Sequence, residues 1–568
     1  MGAVRWLWGA LGVVSLLDVQ AEEWLVDVAS ASGLQFRYEN GRSGEFYFPE
    51  IMGGGVGVLD FDADGWLDIY LVQGGALGPK VSSEARKQGG RLYRNLGKSA
   101  ADGALRFQDV TQASGIDARG YGIGVAVADI DNDGDEDLYL LNFGANQLWR
   151  NNGDGSFSDI TARSGVAGAD WSVSASFADL DGDGLEDLYV VNYVDFSFDN
   201  HKRCRTPGGG ETDYCSPSAY PPSVDRLYRN LGDGRFQDVS ETSGIGALKG
   251  HGLGVIAFDV NADQRIDLYV ANDGSPNFLW INQGGMKFAD EAMLAGVAVN
   301  SNGAPEASMG VDAADFDRNG HEDIFMTHMR NESNTLYTGI GDGWFEDRTA
   351  TAGLAASSLA FTGFGTAWFD LDRDGWLDLY IANGGVMREA EPLPSERSFP
   401  YAQADQLYRH NGKAGAAAAL IDVSAEAGVA LKHRGVGRGV AMADFDNDGR
   451  VDLLLSEIGG PVRLLHNRTD QQAHWLGIEP MWDKQRRALQ VRLLRDPEGA
   501  KLMLRSRRDG SYASSNDPRQ VFGLGTESTA QTVEVLWPDG TRERFAELEV
   551  DRYHRLQRGS GKVLKADR

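Results

Sequence analysis

An all-β chain, a seven-bladed β-propeller followed by a small β-sandwich or barrel, is the fold class this sequence predicts, and three observations predict it. A nine-residue acidic loop of the form D-x-D-x-D-G-x-x-D returns seven times. Short apolar runs rich in β-branched and aromatic residues flank each copy and are split by turn signals, the signature of antiparallel strands. The loops start between 50 and 80 residues apart, a spacing that fits one propeller blade per repeat.

The elements follow in chain order. Arg5, the apolar stretch from Trp6 to Leu17 and the small residue Ala21 form a signal-peptide pattern over residues 1–21. The stretch is too short to span a bilayer comfortably, although an uncleaved anchor is the alternative. The mature chain then starts near Glu22 as an exported protein, secreted to the exterior or periplasmic. Each repeat holds four strand signals, as in the runs beginning at Gly122, Asp137, Leu148 and Phe157. Third-strand signals stand at Leu92, Leu148, Leu227, Leu279, Leu336, Leu407 and Leu464, whereas fourth-strand signals number only six, at Phe107, Phe157, Phe236, Phe288, Phe345 and Leu420. The run from Trp24 to Gly33 has the missing form, and its pairing with the last blade would close the ring and remove exposed edges. The propeller is thereby assigned to residues 22–468, a second β domain to 469–560 and a tail to 561–568.

Three long connections, Gln73 to Arg91, Tyr193 to Arg226 and Gly384 to Gln406, fall between second and third strands. Gathered on one face of a rigid ring they suggest a binding surface; ordinary variation of surface loops is the plainer reading. The chain has two cysteines, Cys204 and Cys215, both in the second of these connections. In an oxidising compartment they are expected to form a disulfide; a thiol metal site would want C-x-x-C spacing, which is absent.

The acidic loops carry the chemistry. Carboxylates at positions 1, 3, 5 and 9, with Gly at 6 for a sharp turn, suit a hard cation such as Ca²⁺, which takes roughly 6–8 oxygens. The expected ligands are Asp60, Asp62, Asp64 and Asp68 in the first loop, Asp129, Asp131, Asp133 and Asp137 in the second, and Asp179, Asp181, Asp183 and Asp187 in the third. The fifth offers Asp315, Asp317, Asn319 and Asp323, the sixth Asp370, Asp372, Asp374 and Asp378, and the seventh Asp444, Asp446, Asp448 and Asp452. The fourth, with Asp259, Asn261, Asp263 and Asp267, is degraded: Gln264 replaces the glycine, where positive φ is costly, so this site is expected to be weak or empty. About six structural ions are expected in all. Imidazole or thiolate partners and an open position, which a catalytic metal needs, are missing from these loops.

Lys and Arg number 54 against 83 Asp and Glu, a net charge of −29, most of it in the loops. Such acidity argues against nucleic acid as a partner. From Trp482 onward the balance turns mildly basic, marking a boundary. Apolar and polar residues alternate there, as in Leu489 to Leu494 and Val533 to Trp537, which indicates a small β domain. Its basic run, Arg505, Arg507 and Arg508, reads as a strand that meets an anionic partner or the acidic propeller, or else as a solvated face.

The Gly-led strand, the acidic loop and the Asp-Leu-Tyr that follows it resemble FG-GAP (VCBS-type) repeats. The C-terminal strings His474-Trp-Leu, Tyr512-Ala-Ser, Asp517-Pro-Arg, Phe522-Gly-Leu-Gly and Val533-Glu-Val-Leu-Trp-Pro-Asp-Gly540 resemble the ASPIC/UnbV domain. Together they are similar to the cartilage acidic protein 1-like family of secreted proteins. The resemblance implies a calcium-binding propeller acting in extracellular or envelope recognition or adhesion of a protein or glycan partner, and the chain is read as monomeric. One departure stands out: the segment Asp483-Lys-Gln-Arg-Arg487-Ala488 replaces the family's Asn-Arg-Asp-Gly-x-Gly-Ala element. The rival reading is an enzyme acting on a small molecule or sugar at the insertion-bearing mouth. His251, Asp273, His328 and Glu332, with Asn272 and Asn383 nearby, are its candidates for acid–base work; hydrogen bonding that pins loops explains them equally, and the sequence leans away from an enzyme.

Overall fold

A computed structural model describes residues 23–564, apart from 83–85, 87, 207–209, 389–399, 414, 470–471 and 495–499. The expected signal peptide and the last residues of the tail lie outside the described residues. Among those described, seven four-stranded antiparallel sheets are made by residues 25–467. The N-terminal strand Leu25–Asp27 pairs with Arg463–Asn467, Leu25 opposite Asn467, so the chain's start completes the sheet built by its last repeat. The innermost strands pack side by side in a closed circle, from Val56–Leu59 through Gly122–Ala128, Ser172–Ala178, Gly252–Phe258, Val311–Ala314 and Gly363–Phe369 to Gly437–Ala443 and back. Most of these strands are buried along their whole length, as Gly122–Ala128 and Gly252–Phe258 are. Glycine leads them because the circle is tight: a Cβ on Gly124 would collide with the Val173 carbonyl of the next sheet.

Each acidic loop joins the first strand of a sheet to the second. The long connections follow the second strand and lie at the opposite end. One-turn helices link one sheet to the next, as at Thr111–Ser114 and Thr161–Ser164, each closed by a left-handed glycine. The sequence reading passed over these turns. The hydroxyl opening each of these two helices accepts a hydrogen bond from the third strand, Leu92 N to Thr111 Oγ1 at 2.9 Å and Leu148 N to Thr161 Oγ1 at 2.9 Å.

The C-terminal residues form two facing sheets. One holds His474–Trp482, Gln485–Arg486, Gln520–Gly525 and Tyr553–Gln557; the other holds Gln490–Leu494, Ala500–Leu504, Gln531–Leu536, Arg542–Leu548 and Lys562–Val563. Leu476, Ile478, Val491, Phe522, Val533 and Trp537 fill the space between them, and this core is continuous with Phe316, Phe325 and Trp368 of the fifth and sixth sheets. The expected strand at Arg505 to Arg508 is corrected: the strand ends at Leu504, and the arginines begin a segment that enters the centre of the ring. Polar groups of the seven inner strands draw the chain out of its sheet there. Val58 N donates to Ser515 O at 3.0 Å, Val125 N to Ala513 O at 3.1 Å and Val311 N to Ser511 O at 3.1 Å. Ala257 N donates to Asp509 Oδ2 at 2.7 Å, Thr366 N to Ser511 Oγ at 3.1 Å and Met442 N to Asn516 Oδ1 at 3.0 Å. Ser174 Oγ of the third sheet accepts from Ala513 N at 3.0 Å. One segment therefore contacts all seven inner strands and plugs the channel.

Candidate metal centres

The acidic loops owe their shape to their own carboxylates. In the first, Asp64 N donates to Asp60 Oδ1 at 3.1 Å, Gly65 N to Asp60 Oδ2 at 3.3 Å and Trp66 N to Asp64 Oδ1 at 2.9 Å. The position-9 acid closes the turn: Asp68 Oδ2 accepts from Phe61 N at 3.0 Å, and its Oδ1 from Asn95 N at 2.7 Å. The second, sixth and seventh loops repeat the set. Position 4 is left-handed as well as position 6, with φ of 55° at Ala63, 59° at Asn132 and 55° at Asn447, a requirement the consensus string does not display. In the fourth loop Gln264 adopts φ 68° and still donates its N–H to Asp259 Oδ2 at 2.8 Å, so the turn is kept.

These turns bring acids together. Ligand atoms lie within 4.8 Å of one another in the groups Asp60, Asp62 and Asp68; Asp129, Asp131 and Asp137; Asp179, Asp181 and Asp187; Asp315, Asp317 and Asp323; and Asp370, Asp372 and Asp374. Burial pushes the position-9 carboxyls up, Asp68 to about 9 and Asp187 and Asp267 to about 7. A cation would relieve that cost.

The sequence reading missed an arginine in the third strand that clamps each of four loops. Arg94 reaches Asp62 Oδ2 at 2.7 Å and Asp64 Oδ2 at 2.9 Å, Arg150 reaches Asp131 at 2.7 Å and Asp133 at 3.1 Å, and Arg229 reaches Asp181 at 2.6 Å and Asp183 at 3.0 Å. Arg409 pairs with Asp372 in the same way. With one oxygen engaged outward, the position-3 acid has the other left over. Oδ1 of Asp62, Asp131, Asp372 and Asp446 is buried and makes no hydrogen bond. Buried carboxylate oxygens are costly unless paired, so these orphaned atoms fit a cation at the loop centre. In the third, fourth and fifth loops the position-3 Oδ1 of Asp181, Asn261 and Asp317 accepts the position-5 N–H, at 3.1–3.2 Å.

One position further along the third strand, an asparagine ties sheet to sheet in five of the seven sheets. Asn151 Nδ2 donates to Phe61 O at 2.8 Å, Asn230 to Ile130 O at 2.9 Å, Asn282 to Leu180 O at 2.8 Å, Asn467 to Leu371 O at 2.8 Å and Asn95 to Phe445 O at 2.9 Å. Each accepting carbonyl is position 2 of the preceding sheet's acidic loop.

An FG-GAP-like repeat model matches residues 60–140, 129–190, 259–326 and 315–381, and an ASPIC and UnbV model matches 486–563. This chain carries FG-GAP repeats and an ASPIC/UnbV domain. It is 28% identical over 321 residues to cartilage acidic protein 1 of Homo sapiens, covering 54% of this chain and 43% of that protein. It is 27% identical over 322 residues to the same protein of Xenopus tropicalis, covering 55% and 38%. The match thus spans less than half the length of the curated relatives. Among solved structures, an Agrocybe aegerita lectin specific for non-reducing terminal N-acetylglucosamine aligns at TM-score 0.39 and 17% identity, covering 72% of this chain and 86% of that one. YCF48 bound to D1 peptide aligns at 0.38 and 10% identity, covering 74% and 92%.

The ASPIC/UnbV domain sits on the loop-bearing end of the FG-GAP ring. Arg486 bonds Asp60 Oδ2 and Glu136 Oε1, each at 2.8 Å, and Arg487 bonds Asp179 Oδ2 at 2.7 Å. Lys484 Nζ donates to Asp133 O at 2.9 Å and Gln485 Nε2 to Asp129 O at 3.2 Å. The segment that departs from the family pattern is therefore the clasp between the two domains. Arg505 bonds Glu322 at 3.3 Å, Arg507 pairs with Asp312 and Arg508 with Glu136, so the basic run meets the acidic propeller rather than solvent.

At the opposite end the FG-GAP insertions interlock. Cys204 and Cys215 form a disulfide. Tyr401 Oη donates to Asp213 at 2.7 Å, Tyr214 Oη donates to Glu50 at 3.0 Å, and Phe46 packs edge-on to Tyr214. Tyr47, Phe198 and His201 form a half-buried aromatic cluster beside them. The proposed acid–base residues lie at this end but in different settings. His251 Nδ1 is 3.2 Å from Ser275 Oγ, and the Asp273 carboxylate accepts from Tyr193 Oη. His328 is 1% exposed; burial lowers it to about 3. Glu332 Oε2 accepts from Ala307 N at 2.9 Å. Asn272 and Asn383 are buried where second strands end, their backbone N–H groups donating to Asn277 Oδ1 and Asp405 Oδ1. Among the described residues no helix is long and apolar enough to cross a membrane.

Proposed function

We propose that this protein is an exported, calcium-stabilised propeller that recognises a protein or glycan partner outside the cell or in the cell envelope. The observation that carries the calcium part is the orphaned Oδ1 of Asp62, Asp131, Asp372 and Asp446, each beside further carboxylates. An all-oxygen set selects a hard cation over the softer transition metals. Asp60, Asp62, Asp64 and Asp68, with the equivalent acids of the second, third, fifth, sixth and seventh loops, would hold the ions. Calcium supplies positive charge that offsets the buried carboxylates. The chain's own part is to orient them: in four of the loops a third-strand arginine fixes position 3, and backbone N–H groups fix positions 1 and 9.

Recognition is assigned to the interlocked insertions. With the channel plugged from one end, the surface left for a partner is the other end, where Tyr47, Phe198 and His201 stand beside the disulfide. Aromatic faces of this kind suit sugar rings and apolar side chains alike. Immobilised protein exposed to extracellular and envelope material in calcium tests the reading. A glycan or protein retained by wild type and lost with Tyr47→Ala and Phe198→Ala supports it; retention unaffected by both substitutions overturns the assignment of the surface.

A further inference from the structure

A second class of metal site, unrelated in chemistry to the acidic loops, lies at the insertion-bearing end between the fourth and fifth sheets. His328 follows the second strand of the fifth sheet, Asp323–Met326, and its side chain is 1% exposed. Neither ring nitrogen makes a hydrogen bond. Its Nδ1 lies 4.0 Å from Oε2 of Glu306. That gap is too wide for a hydrogen bond. Two donors on one tetrahedral ion with bonds of about 2.0–2.2 Å stand roughly 3.4 Å apart, so a small closure of the Glu306 carboxylate would put both on a shared ion.

Further polar side chains lie near this pair in the chain. Thr335 Oγ1 donates to Glu306 Oε2 at 3.2 Å and so orients it. Glu332 Oε2 accepts the N–H of Ala307, the residue after Glu306, at 2.9 Å. Ser308, fully buried, has an Oγ without a partner. The Glu306 side chain is 12% exposed.

The geometry points to a binding site for one borderline divalent cation of the zinc type, held by His328 Nδ1 and the carboxylates of Glu306 and Glu332. Imidazole with carboxylates suits such ions, whereas the acidic loops offer oxygen alone. The site does not depend on calcium in those loops.

Full-length protein, kept in saturating Ca²⁺ so that the acidic loops are filled, is titrated with Zn²⁺ by calorimetry and with Co²⁺ by visible absorption. Wild type is expected to take up one Zn²⁺ and to give a cobalt band. His328→Gln and Glu306→Gln should each weaken that binding at least tenfold, while Glu241→Gln, at an exposed carboxylate, leaves it unchanged. Glu306 is near the surface, so its variant serves if the buried histidine variant does not fold. Absence of Zn²⁺ uptake by wild type, or equal uptake by wild type and Glu306→Gln, overturns the site.

Discussion

At the scale of single residues, small substitutions between repeats show what each side chain does. Before the third strand, the second, fourth and fifth sheets carry Asn146, Asn277 and Asn334, which accept a backbone N–H from the end of the second strand. Asn146 also donates to Tyr139 Oη at 2.9 Å. The third sheet has Asp225 there, 5% exposed, accepting from Asn192 N at 2.9 Å and Tyr189 Oη at 2.8 Å. Burial without a cation beside it pushes its carboxyl up to about 7. An unfolded Asp titrates near 3.9, so between about pH 4 and pH 7 the unfolded chain is ionised while the folded one holds its proton. Stability then falls as pH rises through that window, and the loss is complete above it. Asp225→Asn should therefore stabilise the protein at pH 8, by about 1–3 kcal/mol, and give no gain at pH 4; urea melts at the two values check this. The loops offer a second comparison. Asp131→Ala should remove one bound Ca²⁺ by equilibrium dialysis, whereas Asp263→Ala should leave the count unchanged, because the fourth loop has the uncharged Asn261 at position 3 and Gln264 in place of the glycine.

At the scale of elements, the repeat was legible because it is local. The nine-residue loop, the strand before it and the strand after it all lie in one short stretch, and the six fourth-strand signals pointed to the N-terminal run as the seventh. What was not legible is whatever joins one repeat to another. Arg150 and Asn151 stand in the quoted third-strand string, yet nothing in a string shows that the arginine turns to its own loop and the asparagine to the preceding one. The recurrence of that pair at 94–95, 150–151 and 229–230 was the available signal. Its breakdown is informative as well: the fifth sheet has Gly339 in place of the asparagine and the sixth has His410, stacked on Trp376 at 4.3 Å. Asn151→Ala would strand the buried carbonyls of Phe61 and Glu136, at about 1–3 kcal/mol for each unsatisfied group. It should lower stability in a chemical melt by more than a matched His410→Ala, which breaks no such tie.

At the scale of the whole molecule, the ring is closed three times over: by the strand Leu25–Asp27 at its rim, by the five asparagine ties between sheets, and by the segment Asp509–Ser515 at its axis. The axial closure is the one the sequence could not reveal, since the residues that plug the channel lie far along the chain from the strands they fill. The basic run just before them, Arg505 to Arg508, read as a strand facing an anionic partner, the acidic propeller or solvent, and only the ring's inner N–H groups explain why the chain leaves its sheet there. The same closure joins both domains into one cooperative unit. Arg486 bonds Asp60 and Arg487 bonds Asp179, each the first acid of a loop, so an ion that fixes those carboxylates also fixes the clasp. Excess chelator should then lower a single melting transition for the intact chain instead of splitting it in two. A fragment ending at residue 468 should lose far more. Without the plug, the N–H groups of Val58, Val125, Ala257, Val311, Thr366 and Met442 face an open channel and the apolar patch around Trp368 is bared. Calorimetry of that fragment in calcium is expected to show a melting temperature at least 10 °C lower, or no folded protein. A fragment melting with the intact chain would mean that the ring stands by itself and that the C-terminal domain merely rests upon it.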